Sequence, residues 1–288
     1  MTTRTTFLLL HEICICLSGV ARSADIVEIH SPSMDRTLNA SVVVPASYDD
    51  HDEPFPVIYL LHGAGGNHTS WLEEIPEEGL VQRLADAYQV IFVLPDGDPL
   101  SFYIDSPWND EAQFETHITR EVISFIDNNY RTIADKTGRA ITGLSMGGHG
   151  ALYLSARNPE LYAAAGSMSG AVDINVEGWN LPEESTRDFL AEMGEAMGKE
   201  ELEKGFLYAH SVTNLVDQMK ENGIPLIIDC GIDDFLLEAN RDLKNRLLEA
   251  GVPHDYIERP GAHTWEYWGN ALPYQVLFIS KIFRSNAQ

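Results

Sequence analysis

The chain has 288 residues, 44% of them apolar, enough to build a sizeable core in one large or two small α/β units. Forty-four acidic residues against 19 basic ones give a formal net charge of −25, which argues against nucleic acid or an anionic membrane surface as a partner. The three cysteines, Cys14, Cys16 and Cys230, supply neither a disulfide framework nor a zinc cluster.

Residues 1–24 read as a secretory signal: Arg4, then the apolar runs Phe7-Leu8-Leu9-Leu10 and Ile13-Cys14-Ile15-Cys16-Leu17, then small Ala21, Ser23 and Ala24. His11 and Glu12 interrupt the apolar part, and the segment is too short and broken for a membrane span. The expectation is a secreted or periplasmic protein whose mature chain keeps only Cys230, in a buried strand. Residues 25–288 show no linker and read as a single domain.

Alternation from Asp25 to His30 and from Arg36 to Val44 predicts an antiparallel pair with one wet face. The runs Val57 to Leu61 and Val90 to Leu94 are apolar throughout, as parallel strands buried on both faces would be. Helices are expected over Glu78–Tyr88 and Phe114–Tyr130, the second with Ile118, Val122, Phe125 and Ile126 on one stripe. Residues 173–210 are acidic and break the rhythm, and read as an insertion over the active face. Strand–helix units then resume: helix near Val216, strand 225–231, helix 236–250, strand 256–260 and a closing helix from Trp265. The repeated units predict an α/β fold: a mostly parallel sheet with antiparallel N-terminal strands and helices on both faces.

The stretch Arg139 to Leu152 organises this plan. An apolar run ends in Gly143-Leu144-Ser145-Met146-Gly147 and a helical pattern follows, the layout of a nucleophile elbow. A tight strand-to-helix turn projects the Ser145 hydroxyl clear of the backbone, with a helix N-terminus behind it. Gly143 and Gly147 leave room where a Cβ would meet the neighbouring strand or helix. In this architecture the acid and then the base follow the serine, on loops at strand carboxyl ends. His263 lies just past the last strand, whereas His254 opens that strand and sits at its wrong end. The acid belongs to the loop Gly231-Ile232-Asp233-Asp234-Phe235. Spacing alone leaves Asp233 and Asp234 both open, the other of the two being a helix cap. The oxyanion hole needs two backbone N–H groups: Met146, after the nucleophile, and Ala64 in His62-Gly63-Ala64-Gly65-Gly66.

With these pieces placed, the chain resembles the esterase D, feruloyl esterase and mycolyltransferase-like branch of the α/β-hydrolase fold. The resemblance rests on Leu60–Asn67, Tyr103–Pro107, Gly143–Ala151, Gly231–Phe235 and His263-Thr264-Trp265, in that order. It implies Asp234 as the acid, Ala64 and Met146 as the hole, and a metal-free serine esterase without cofactor. Trp71, Phe102, Tyr103, Trp108, Trp265 and Trp268 offer aromatic surface near the expected mouth, of which Trp71, Tyr103, Trp265 and Trp268 are the candidate substrate contacts. Aromatic walls and an export signal favour acetyl or feruloyl esters of polysaccharides. S-formylglutathione hydrolysis is the alternative, and acyl transfer a third enzymatic option. A non-catalytic binding module would usually have lost one of Ser145, Asp234 and His263, and all three are present.

Overall fold

The computed structural model describes residues 24–50, 52–176 and 179–287; apart from Ala24, the signal-peptide reading falls outside them. Asp25–Ser31 (β1) and Arg36–Val43 (β2) pair antiparallel, Asp25 opposite Val42 and Ser31 opposite Arg36, with alternate β1 residues exposed. Val57–Leu61 (β3) is buried at every position, and its side chains divide between two cores. Val57, Tyr59 and Leu61 enter one; Ile58 and Leu60 enter the other. That two-sided burial is what a continuous apolar strand requires.

After the short helix Ser70–Glu73 (α1), Leu80–Tyr88 (α2) leads to Ile91–Pro95 (β4). The expected helix over Phe114–Tyr130 is a composite. Phe114–Thr116 (α3) and Ile123–Asn129 (α4) flank a π-helical stretch, His117–Val122, while Ile118, Val122 and Ile126 still face the core. Arg139–Gly143 (β5), Met146–Arg157 (α5) and Ala164–Met168 (β6) follow. The insertion holds Glu183–Ala196 (α6) and Lys204–His210 (α7). Val216–Asn222 (α8), Leu226–Gly231 (β7), Leu237–Ala250 (α9), His254–Arg259 (β8) and Trp265–Asn286 (α10) complete the chain.

The strands form one sheet in the order β1-β2-β4-β3-β5-β6-β7-β8, parallel from β4 to β8, with β1 and β2 antiparallel at one edge. α2 and α10 cover one face; the 114–129 helix, α5 and α9 cover the other. This is the expected α/β-hydrolase architecture. Its parallel strands end together on one side, which brings the loops after β3, β5, β7 and β8 to one place. Among the described residues no helix is long and apolar enough to cross a membrane.

Candidate active site

Ser145 joins β5 to α5 with φ 53° and ψ −117°, a region where a residue with a Cβ is strained. Its surroundings enforce that conformation. The Ser145 N–H donates to the Met168 carbonyl at 2.9 Å, and its own carbonyl accepts from Ala171 N–H at 3.0 Å. The flanking glycines are steric necessities. A Cβ on Gly143 would lie 2.5 Å from the Gly147 oxygen, and one on Gly147 would lie 2.5 Å from the Leu61 and His62 oxygens.

His263 stands between β8 and α10, whose first turn is capped by Thr264, the hydroxyl accepting from Tyr267 N–H at 3.4 Å. Its Nε2 lies 3.0 Å from Ser145 Oγ. Its Nδ1 lies 2.9 Å from Asp234 Oδ2 and 3.1 Å from Oδ1. A carboxylate beside Nδ1 can only accept, so the ring's proton resides on Nδ1 and Nε2 is free to accept from the serine hydroxyl. The Asp234 side chain is fully buried, and its Oδ1 also accepts from Leu236 N–H at 2.8 Å. Asp233 is exposed and has turned away, its N–H donating to Gly261 O at 2.9 Å. Of the two neighbours, Asp234 is the one the structure places beside the imidazole, and Asp233 does not cap α9. His254 stays at the start of β8, its Nδ1 2.8 Å from the Val252 carbonyl.

The loop after β3 reaches the same place. Met146 is the first residue of α5, so its N–H has no acceptor within the helix. Ala64 and Met146 line a cleft together with Ser145 and His263. The loop is braced by His62, a residue whose role sequence reasoning missed. Gly97 N–H donates to its Nε2 at 2.8 Å, so Nδ1 carries the proton and donates to the Gly63 carbonyl at 2.8 Å. Burial lowers the His62 pKa, keeping the ring neutral in that tautomer.

Two candidate substrate contacts need correction. Trp71 is 1% exposed and Tyr103 is fully buried, and neither lines the cleft. Each turns its polar atom inward: Trp71 Nε1 donates to the Leu61 carbonyl at 3.0 Å, and the Tyr103 hydroxyl to the His62 carbonyl at 3.0 Å. They fix the end of β3, from which the Ala64 loop springs. Trp108 also lies off the cleft, packed 4.8 Å from the Phe206 ring.

Trp265 and Trp268 do line it, as does Phe102. Successive ring contacts at 4.6–5.9 Å run from Phe102 through Phe189, Trp179, Phe235 and His263 to Trp268 and Trp265. Trp179, Leu181 and Phe189 come from the insertion, so residues 173–210 furnish a wall of the cleft. Sequence reasoning placed the segment over the active face without assigning these side chains to the wall. The cleft encloses about 340 Å³. It can hold a small acyl group or one ring beside a serine hydroxyl, an imidazole that accepts its proton and two backbone N–H groups. Among the described residues no three His, Cys, Asp or Glu side chains are grouped to hold a metal ion.

The putative esterase family model matches residues 31–279. An acetyl esterase of Caldicellulosiruptor saccharolyticus is 28% identical over 276 residues, covering 89% of this chain and 97% of that protein. An endo-1,4-beta-xylanase/feruloyl esterase of Xylanibacter ruminicola is 35% identical over 167 residues, 55% of this chain but 22% of that longer protein. A solved ferulic acid esterase superposes with a TM-score of 0.74 at 28% identity, over 91% of this chain and 99% of that one. Matched over most of its length, the chain belongs to the putative esterase family and is a carboxylic ester hydrolase.

Proposed function

We propose that the chain hydrolyses esters through a Ser145-His263-Asp234 triad and an acyl-enzyme, and that its natural substrates are acetyl or feruloyl esters of polysaccharides. The observation that carries the triad is the unbroken hydrogen-bonded line Asp234–His263–Ser145 at the floor of the cleft. Ser145 Oγ attacks the ester carbonyl as His263 Nε2 takes its proton. Asp234 holds the imidazole in that tautomer and stabilises the imidazolium that forms. The carbonyl oxygen, now negative, is received by the N–H groups of Ala64 and Met146. His263 returns the proton to the departing alcohol, leaving the acyl group on Ser145. A water molecule, deprotonated by the same nitrogen, releases the acid and restores the hydroxyl.

Support for the substrate class comes from the aromatic cleft, which suits a phenolic acyl group or a sugar ring, and from relatives named for acetyl and feruloyl esterase activity. The N-terminal segment supports export to the periplasm or medium, where such polymers are met. The test is a rate comparison on purified protein: methyl ferulate and acetylated xylan against S-formylglutathione. Higher kcat/KM on the carbohydrate-type esters is expected. A strong preference for the glutathione thioester would overturn the substrate assignment and transfer it to the alternative.

A further inference from the structure

We propose that Glu74 sets the charge selectivity of the cleft, making it a site for uncharged esters that discriminates against anionic ones. The inference rests on the cleft being the ester-binding site and adds a residue that decides which esters enter.

Glu74 is the one acidic residue among those that line the cleft in the described structure, and no lysine or arginine lines it. Apart from Ser145 and His263, the other lining side chains are apolar or aromatic, or the residues are glycines. The backbone at Glu74 is pinned on both sides: its N–H donates to the Ser70 carbonyl at 3.0 Å, and Ile75 is buried. Nearby acids are engaged elsewhere. Glu73 accepts from the Thr69 hydroxyl at 2.9 Å, and Glu77 is paired with Arg83. No hydrogen bond or ion pair engages the Glu74 carboxylate among the described residues, and it is exposed.

An uncompensated charge at the edge of a low-dielectric cleft acts on whatever enters. A substrate bearing its own carboxylate is repelled, and no lysine or arginine on the lining offsets that repulsion. A hydroxyl-bearing neutral leaving group instead finds a hydrogen-bond acceptor. Anionic peptide thioesters fall in the disfavoured class.

The experiment compares kcat/KM for neutral 4-nitrophenyl butyrate and for the anionic mono-4-nitrophenyl ester of glutaric acid. The proteins are wild type, Glu74→Gln, Glu74→Ala and Glu28→Gln, the last removing one equal charge from the exposed β1 edge. Both Glu74 variants are expected to raise the anionic-to-neutral ratio about three- to tenfold at low salt, with the gain shrinking near ~0.5 M salt. Glu28→Gln leaves the ratio unchanged. An unmoved ratio in the Glu74 variants, or an equal gain in Glu28→Gln, overturns the inference. Ser145→Ala separates the two readings. If it is inactive while the ratio is unmoved, only the role of Glu74 fails; if it still turns over both esters, the cleft is not the ester site.

Discussion

Asp234→Asn is the substitution that probes the site's hydrogen-bond logic most finely, because the two carboxylate oxygens have different obligations. Oδ1 accepts from Leu236 N–H at 2.8 Å, and Oδ2 is the nearer oxygen to His263 Nδ1, at 2.9 Å. An asparagine in this place keeps its carbonyl oxygen on Leu236 N–H, since the reverse orientation would set an amide N–H against a backbone N–H in a buried site. That choice aims the NH2 group at Nδ1. Nδ1 must then accept, the ring's proton moves to Nε2, and Nε2 can no longer take the proton of Ser145. The lost base function and the lost charge together are expected to lower kcat by about 10³- to 10⁴-fold, or about 4–5.5 kcal/mol in the barrier. Asp233→Asn changes an exposed side chain and is expected to stay within about threefold of wild type. The assay is hydrolysis of 4-nitrophenyl acetate by both variants, with thermal unfolding recorded to show that each is folded. An Asp234→Asn enzyme within about tenfold of wild type, or a larger loss in Asp233→Asn, would refute the tautomer reasoning.

Two further substitutions or conditions test the frame around the triad. Gly147→Ala would place a Cβ 2.5 Å from the Leu61 and His62 oxygens, at the root of the Ala64 loop. Urea unfolding should show a loss of about 1–3 kcal/mol or more, together with reduced kcat, and an unchanged midpoint would contradict the tight approach. His149 is wholly buried in α5, its ring nitrogens facing the Phe102 carbonyl at 3.1 Å and the His210 carbonyl at 2.8 Å, beside the Tyr153 ring. Burial lowers its pKa from the ordinary 6.5 to about 4. Because the folded pKa is the lower one, the unfolded chain binds the proton more readily. The stability this group contributes is therefore present above pH 6.5 and lost as pH falls towards 4, by about 3 kcal/mol. His62, His117 and His210 are likewise lowered by burial and act in the same sense, while the raised Asp229 acts in the opposite one. Unfolding free energies measured by urea at pH 7 and pH 4.5 should differ accordingly; equal or higher stability at the lower pH would contradict this.

Those parts of the molecule set by local patterning were legible before any coordinates. Ser145 declares itself through glycines whose absent side chains make room for crossing backbone, and His263 through its position after the last strand. Asp234 was separable from Asp233 by resemblance but not by spacing, because the distinction depends on which side chain points under the imidazole. What escaped was decided by contacts between segments far apart in sequence. Trp71 and Tyr103 are aromatic, follow strand ends near the site and would have suited a substrate wall equally well. Their burial depends on carbonyls of Leu61 and His62, ten and forty-one residues away along the chain. Trp179 and Phe189 were visible within the acidic insertion, yet nothing in its irregular pattern says which side faces Ser145. The π-helical stretch His117–Val122 was also hidden, since Ile118, Val122 and Ile126 keep their shared stripe on either helical geometry.

Ser145 is proposed as the nucleophile of the ester-hydrolysing site. Its most direct test is Ser145→Ala, assayed on 4-nitrophenyl acetate and by intact mass after treatment with a fluorophosphonate. Turnover should fall by at least ~10⁴-fold, no covalent adduct should form, and the unfolding transition should stay close to that of wild type. Turnover or labelling comparable to wild type in the alanine variant would exclude Ser145 as the nucleophile.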